Sequence, residues 1–204
     1  MIDPIVISMI SLTCFLIASG LLVLGFKGSG RNQLWTRLGY SLFVIGTMTT
    51  TLETVSSGGT AYQLASAIAW ATIISWFVWK MELIGAFTSP VIAITLLSGT
   101  FFSPHQPLPL AVDMGPAMRL HIASAVIGQT FAILACGMSL LFLWLDKKLK
   151  NRQLSDLPDR FPAIATITSA LTLTLWIGFT FITVSLLSGA MYAMSGMIPE
   201  GHNI

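Results

Sequence analysis

Long apolar segments without charged residues recur along this chain, and they limit what it can fold into. The first extends from Pro4 to Phe26 without an acidic or basic side chain. A helix needs about 20 predominantly apolar residues to cross a hydrocarbon core about 30 Å thick. Only 9% of the 204 residues are charged, whereas soluble domains carry roughly 25%. The sequence therefore predicts an all-α, polytopic membrane protein.

Charged residues mark the boundaries of the predicted transmembrane helices. We predict about six helices, over residues 4–26, 37–55, 60–79, 83–102, 117–145 and 161–194. The second helix is the most polar, because it contains Thr47, Thr49, Thr50, Thr51 and Glu53. No segment between the helices is long enough for a soluble domain. Residues 1–204 are therefore predicted to form a single transmembrane domain.

The basic residues are distributed unequally between the two sides of this topology. Nine of the ten lie on the side of the first, third and fifth loops, and Arg119 lies on the other. These nine are Lys27, Arg31, Arg37, Lys80, Lys147, Lys148, Lys150, Arg152 and Arg160. Basic residues accumulate in cytoplasmic loops, so both termini are expected to face outward.

Several functions are disfavoured by what the sequence lacks. The net charge is only +2, and no basic run is interleaved with aromatic residues, so we expect lipid and not nucleic acid around the chain. Cys14 and Cys136 lie in apolar segments without a CxxC spacing, which suits small packed hydrophobes. Glu53 and Glu82 lie near predicted helix ends, where a long side chain can reach the interface. Without an acid inside the membrane, a small-molecule transporter is the weaker hypothesis.

All three histidines, His105, His121 and His202, fall on the predicted outer side. His105 lies in a proline-rich loop, where an interfacial role is expected. His121 begins the fifth helix and is followed on one face by a stripe of small residues, Ser124, Ala125, Gly128, Ala132 and Ala135. Such a stripe indicates close helix packing. The alternative is a slot for a flat ligand such as haem b, with His121 and His202 as axial ligands of the iron.

The second half of the chain resembles a known family. The segment RLHI (119–122) opens the fifth helix and WLDKKLK (144–150) closes it. The segments IGFTFIT (177–183) and LSGA (187–190) follow in the sixth. In their order and separation, from Gly115 to Tyr192, they resemble the cytochrome c assembly family, which includes CcsA-type haem-handling proteins and their YpjD- and HemX-like relatives.

The resemblance implies a bacterial plasma-membrane protein that binds haem at its outer face and assists cytochrome c maturation. His121 matches a family histidine, and His202 falls where the YpjD- and HemX-like members often have one. Apocytochrome c and other membrane proteins of maturation are the implied partners, and no enzyme activity is expected of this chain alone. CcsA-type members continue into a tryptophan-rich segment, whereas no tryptophan follows Trp176. We therefore expect the N-terminal part of a longer fold. A HemX-like regulatory subunit without haem and a transporter remain the alternatives.

The charge distribution predicts the outcome of a topology experiment. Reporter fusions after Lys150 should report a cytoplasmic position, and fusions near Gln106 or His202 an external one. Alkaline phosphatase and fluorescent-protein activities of the fusions measure this. An external position at Lys150 would contradict the six-helix topology.

Overall fold

The computed structural model describes residues 4–26, 32–57, 59–81, 83–102, 116–151 and 163–197. Within these ranges the chain forms six α-helices and no strand. They are α1 (Pro4–Phe26), α2 (Asn32–Ser57), α3 (Thr60–Trp79), α4 (Ile84–Phe102), α5 (Pro116–Lys150) and α6 (Ile164–Met197). The predicted all-α polytopic architecture is confirmed.

The helices differ from the predicted ranges mainly at their ends. α2 begins at Asn32 instead of residue 37, and α6 spans Ile164–Met197 instead of 161–194. α5 continues past residue 145 to Lys150, because charged residues end a membrane span without ending a helix. Its basic last turn suits the negative end of the helix dipole. Asp146 and Lys150, one turn apart, form an ion pair of 2.7 Å.

Five of the six helices, all but α2, are long and apolar enough to cross a membrane. α2 nevertheless packs antiparallel to α1 along its whole length. Gly25 near the end of α1 lies against Thr36 near the start of α2. In the middle, the rings of Phe15 and Phe43 meet edge to face with centroids 5.2 Å apart. At the opposite end Ser8 is hydrogen-bonded to Glu53, so we count α2 as the sixth crossing.

The threonines that make α2 polar satisfy their hydrogen bonds within the helix. The hydroxyls of Thr47, Thr50, Thr51 and Thr54 donate to the carbonyls four residues earlier, at 2.7–2.9 Å. A hydroxyl inside the hydrocarbon is costly only when its hydrogen bond is missing. The polar sequence of α2 is therefore compatible with a position inside the membrane.

Two apolar cores hold the helices together. The first joins α1 to α4 and includes Phe15, Phe43, Ile68, Ile92 and Leu96. The second joins the end of α3 and the start of α4 to α5 and α6, through Met81, Ile84, Leu134, Met138, Leu141 and Ile167. The C-terminal half of α5 therefore lies beside the start of α4. His121, at the other end of α5, lies at the opposite end of the bundle.

The bundle thus has two chemically different ends. We call one the histidine end, where α1, α3 and α5 begin and α2, α4 and α6 finish. The other is the basic end. Among the described residues, the basic end carries Arg37, Lys80, Lys147, Lys148 and Lys150, and the histidine end carries Arg119. Lys80 takes a left-handed conformation, with φ 55°, where α3 finishes.

Glu53 corrects one expectation from the sequence. Its side chain does not reach an interface but is fully buried, at 0% exposure. Although Glu53 lies only four residues before the end of α2, α1 and α3 pack over it through Ser8 and Tyr62. A transporter was disfavoured because no acid was expected inside the membrane. The burial of Glu53 removes that reason.

Candidate functional site

His121 lies in the second turn of α5, at the contact between α5 and α6. α5 begins at Pro116, whose fixed φ suits the first position of a helix. The imidazole of His121 is half-buried and packs against α6, the principal neighbour of α5. The surroundings of its two ring nitrogens, Nδ1 and Nε2, differ from each other.

The Nδ1 atom of His121 is held by a main-chain carbonyl of α6. It lies 2.7 Å from the carbonyl oxygen of Ser185. Because a carbonyl oxygen can only accept, Nδ1 must carry the hydrogen in this bond. The Ser185 hydroxyl lies 3.1 Å from the same nitrogen and donates to the His121 carbonyl at 3.3 Å. The tautomer and the direction of the ring are therefore both determined by α6.

This arrangement leaves the second nitrogen available for a ligand. In the neutral ring, a hydrogen on Nδ1 leaves Nε2 with a lone pair. Within the described part of the chain, Nε2 makes no hydrogen bond. A histidine that binds a metal usually donates its other N–H to a carbonyl or carboxylate, which orients the ring and increases its basicity. His121 has this geometry.

Gly189 provides the space that the ring occupies. A Cβ atom at position 189 would lie 2.9 Å from both Cε1 and Nδ1 of His121, closer than van der Waals contact allows. Any larger residue would displace the imidazole from the Ser185 carbonyl. Gly189 is thus a positioning residue for His121.

The small-residue stripe of α5 is filled by α6 at Gly128. A Cβ atom there would lie 2.9 Å from the main-chain nitrogen of Ile182 and 2.7 Å from its Cγ1 atom. From the other side, Gly178 of α6 lies against Phe131 and the main chain of Ala132. No space for a flat ligand remains between the helices at Gly128. Gly128 instead allows close packing of α5 against α6. The cofactor-binding role predicted for it is therefore not supported.

The contact face of α6 is marked by small residues at helical spacing, to which the sequence alone assigns no role. Gly178 and Gly189 are separated by about three helical turns and therefore share a face, and Ser185 lies between them on that face. Both glycines lie in the segments that carry the resemblance, but no role was assigned to them or to Ser185. The signal was present as small residues at helical spacing opposite a similar stripe on α5.

Comparison with known proteins covers this site. The family model described as cytochrome C assembly protein matches residues 59–197, more than half of the chain. The chain belongs to the cytochrome c assembly protein family. The match extends from the start of α3 to the end of α6 and includes His121, Ser185 and Gly189. No curated protein and no solved structure matches the chain.

Membership of the cytochrome c assembly family fixes the coarse function. The chain is a multi-pass membrane protein with a role in cytochrome c maturation. The family match is longer than the predicted resemblance, because it also includes α3 and α4. α1 and the whole of α2, with Glu53, lie before it.

His202 and His105 lie outside the described residues. Arg119 is described and exposed. In the described ranges, no group of three or more His, Cys, Asp and Glu side chains could hold a metal ion together. His121 is therefore the site residue on which a functional proposal for this family member depends.

The contact at Gly128 predicts a difference between two glycines of α5. Gly128→Ala should destabilise the protein by about 1–3 kcal/mol, because the methyl group would collide with the backbone of α6. Gly137→Ala is the matched control, since a Cβ there would lie 3.6 Å from Phe87 and 3.9 Å from Ile84. Alanine is the better helix former by about 1 kcal/mol, so Gly137→Ala should be neutral or stabilising. Thermal unfolding in mild detergent measures both, and equal stabilities would contradict the packing at Gly128.

Proposed function

We propose that this protein binds haem b at its outer face and assists its delivery during cytochrome c maturation. The single observation that carries the proposal is the hydrogen bond from Nδ1 of His121 to the Ser185 carbonyl, 2.7 Å long. Because Nδ1 of the half-buried imidazole is bonded to α6, the Nε2 lone pair points away from the Ser185 carbonyl. An axial position of haem iron accepts such a nitrogen.

The protein groups have separable roles in this proposal. His121 provides Nε2 as one axial ligand, and the Ser185 carbonyl holds the tautomer and increases the basicity of the ring. Gly189 allows the ring to approach that carbonyl. When bound, haem would supply an iron centre that accepts imidazole nitrogen, and among the described residues Nε2 of His121 would hold it.

His202 is the proposed second axial ligand. It follows α6, the helix that packs against α5, by five residues. His202 would then hold the haem iron together with His121, from the segment that follows the helix packed against α5. This assignment remains a prediction from the sequence.

The proposed orientation places the histidine end on the outside of a bacterial plasma membrane. It is supported by the described basic residues, five of which lie at the basic end and one at the histidine end. Haem held there would be accessible to an apocytochrome c on the outer side. We propose that the chain acts with other maturation proteins of the membrane and is not itself an enzyme, because attachment of haem to cysteines needs a partner.

The central test is the absorption spectrum of the protein purified with haem in mild detergent. The parent should show a Soret band and sharp reduced α and β bands, as expected for two imidazole ligands. His121→Ala should lose most of this signal, and added imidazole should restore part of it by occupying the vacated position. His105→Ala is the control and should resemble the parent.

Two further variants test how His121 is positioned. Gly189→Ala keeps the histidine but displaces its ring, and should weaken haem binding by about 10–100-fold, as loss of a supporting contact does. Ser185→Ala keeps the main-chain carbonyl and should retain most of the binding. Haem titrations followed in the Soret band measure both affinities.

The outcomes separate the alternatives. An unchanged spectrum in His121→Ala would exclude His121 as the ligand. A parent without any haem signal would favour the HemX-like regulatory subunit, and it would contradict the proposed haem binding. Equal losses in Gly189→Ala and Ser185→Ala would contradict the role of the main-chain carbonyl.

A further inference from the structure

The basic end of α5 carries an open cavity that the haem proposal does not use. Its volume is about 280 Å³, and it is lined by Trp144, Lys147, Lys148 and Asn151. A water molecule takes up about 30 Å³ in the liquid, so a group several times larger fits there. Lysine ammonium and asparagine amide groups are hydrogen-bond donors. Their presence around one cavity indicates an anionic ligand.

The four lining residues share one face of α5. Their spacing is i, i+3, i+4 and i+7, which places side chains in line along a helix. Asp146, the acid of the basic end among the described residues, lies about 200° around the helix from Trp144. It forms its ion pair of 2.7 Å with Lys150. The charge of Asp146 is therefore compensated on the opposite face, and not by the lysines of the cavity.

The cavity is open because α5 extends farther than its neighbour α4. With 35 residues, α5 is about 52 Å long, whereas the hydrocarbon core is about 30 Å thick. Gly137, two turns before Trp144 on the same face, lies against Ile84, the first residue of α4. Trp144 lies about 10 Å further along α5. The cavity therefore lies beyond the start of α4, where the end of α5 emerges from the hydrocarbon.

The surface directly below the cavity suits a lipid. Leu140, one turn before Trp144, is 49% exposed, and Leu143, one turn before Lys147, is 61% exposed. Both side chains would face acyl chains in a bilayer. Trp144 is half-buried against the second core, and tryptophan is common at the level of the headgroups. Apolar surface, an interfacial ring and lysines thus follow one another in the order of the acyl chains and the phosphate of a phospholipid.

Side chains, and not the helix end, provide the attraction for an anion in this cavity. The last turn of a helix carries a partial negative charge, so the main chain of α5 disfavours an anion. Each lysine near a membrane surface strengthens the binding of anionic lipid about five-fold. Binding should therefore be sensitive to each lysine of the cavity.

We propose that this cavity binds the phosphate headgroup of an anionic phospholipid. Lys147 and Lys148 are the cationic groups, Asn151 is a hydrogen-bond donor, and Trp144 packs against the glycerol part of the lipid. A bound lipid anchors the end of α5 at the membrane surface. The site is independent of the proposed haem ligand His121, which lies at the other end of the same helix.

Titration with two phospholipids of identical chains tests the ligand. Native mass spectrometry of the full chain in mild detergent should show that dioleoyl phosphatidylglycerol binds more tightly than dioleoyl phosphatidylcholine, whose headgroup has no net charge. Phosphatidylglycerol should also raise the midpoint of thermal unfolding, because a ligand of the folded state stabilises it. Equal affinities for the two lipids would overturn the proposal.

Substitution of single lysines tests the position of the site. Lys147→Gln and Lys148→Gln should each weaken phosphatidylglycerol binding about five-fold, and the double variant about 25-fold. Lys147→Arg keeps the charge and should bind like the parent. Lys150→Gln is the matched control, because it removes the same charge from the opposite face of the same turn. It should weaken binding less than either cavity variant.

The outcomes distinguish a specific site from a charged surface. Equal losses in Lys147→Gln, Lys148→Gln and Lys150→Gln would overturn the proposal in favour of a general attraction between the basic end and anionic lipid. Displacement of the lipid by an equal concentration of soluble glycerol phosphate would overturn it in favour of a site for free phosphate. If Lys148→Gln does not fold, the comparison of Lys147→Gln with Lys150→Gln still decides.

Discussion

A bilayer offers no water to a buried polar group, so each such group in this chain must find its partner inside the protein. Three different solutions appear. The threonines of α2 bond to their own helix, as Thr50 does to the Gly46 carbonyl at 2.7 Å. His121 bonds to a carbonyl of the neighbouring helix. Glu53 has a line of hydroxyls contributed by three other helices. The polar groups of this membrane protein are therefore fixed in orientation as well as in position, which is what makes them informative about function.

The His121 geometry depends on how closely α5 and α6 approach. Main-chain carbonyls of α6 can reach a side chain of α5 only because glycines remove the intervening volume, at Gly128 on one helix and at Gly178 and Gly189 on the other. The glycines far from the histidine bring the helix axes together, and Gly189 then admits the ring itself. Gly178, three turns before Gly189 on α6, thus contributes to the position of His121, the proposed iron ligand.

The sequence predicted the helices well because each depends on local composition. Apolar runs between charges determined where the six helices lie, and their ends differed where α5 continued through Lys147 and Lys148. The site was only partly predictable. A stripe of small residues shows that volume is missing, but not whether α6 or a ligand fills it, and at Gly128 it is α6. Glu53 was misjudged because its distance from the end of α2 is a local property, whereas its burial depends on α1 and α3, which are distant in sequence.

The two polar sites divide the chain in an instructive way. His121, Ser185 and Gly189 all lie within the region that matches the cytochrome c assembly family. The hydroxyl line crosses the boundary of that region: Tyr62 and Thr100 lie inside it, while Ser8 and Glu53 lie before it. A bundle of α3 to α6 alone would keep the accepting end of the line without the acid. The geometry of His121 needs only α5 and α6, whereas the hydroxyl line from Glu53 forms only when α1 and α2 pack against α3 and α4. A property that depends on Glu53 therefore belongs to the four helices α1–α4, and a property that depends on His121 belongs to the pair α5 and α6.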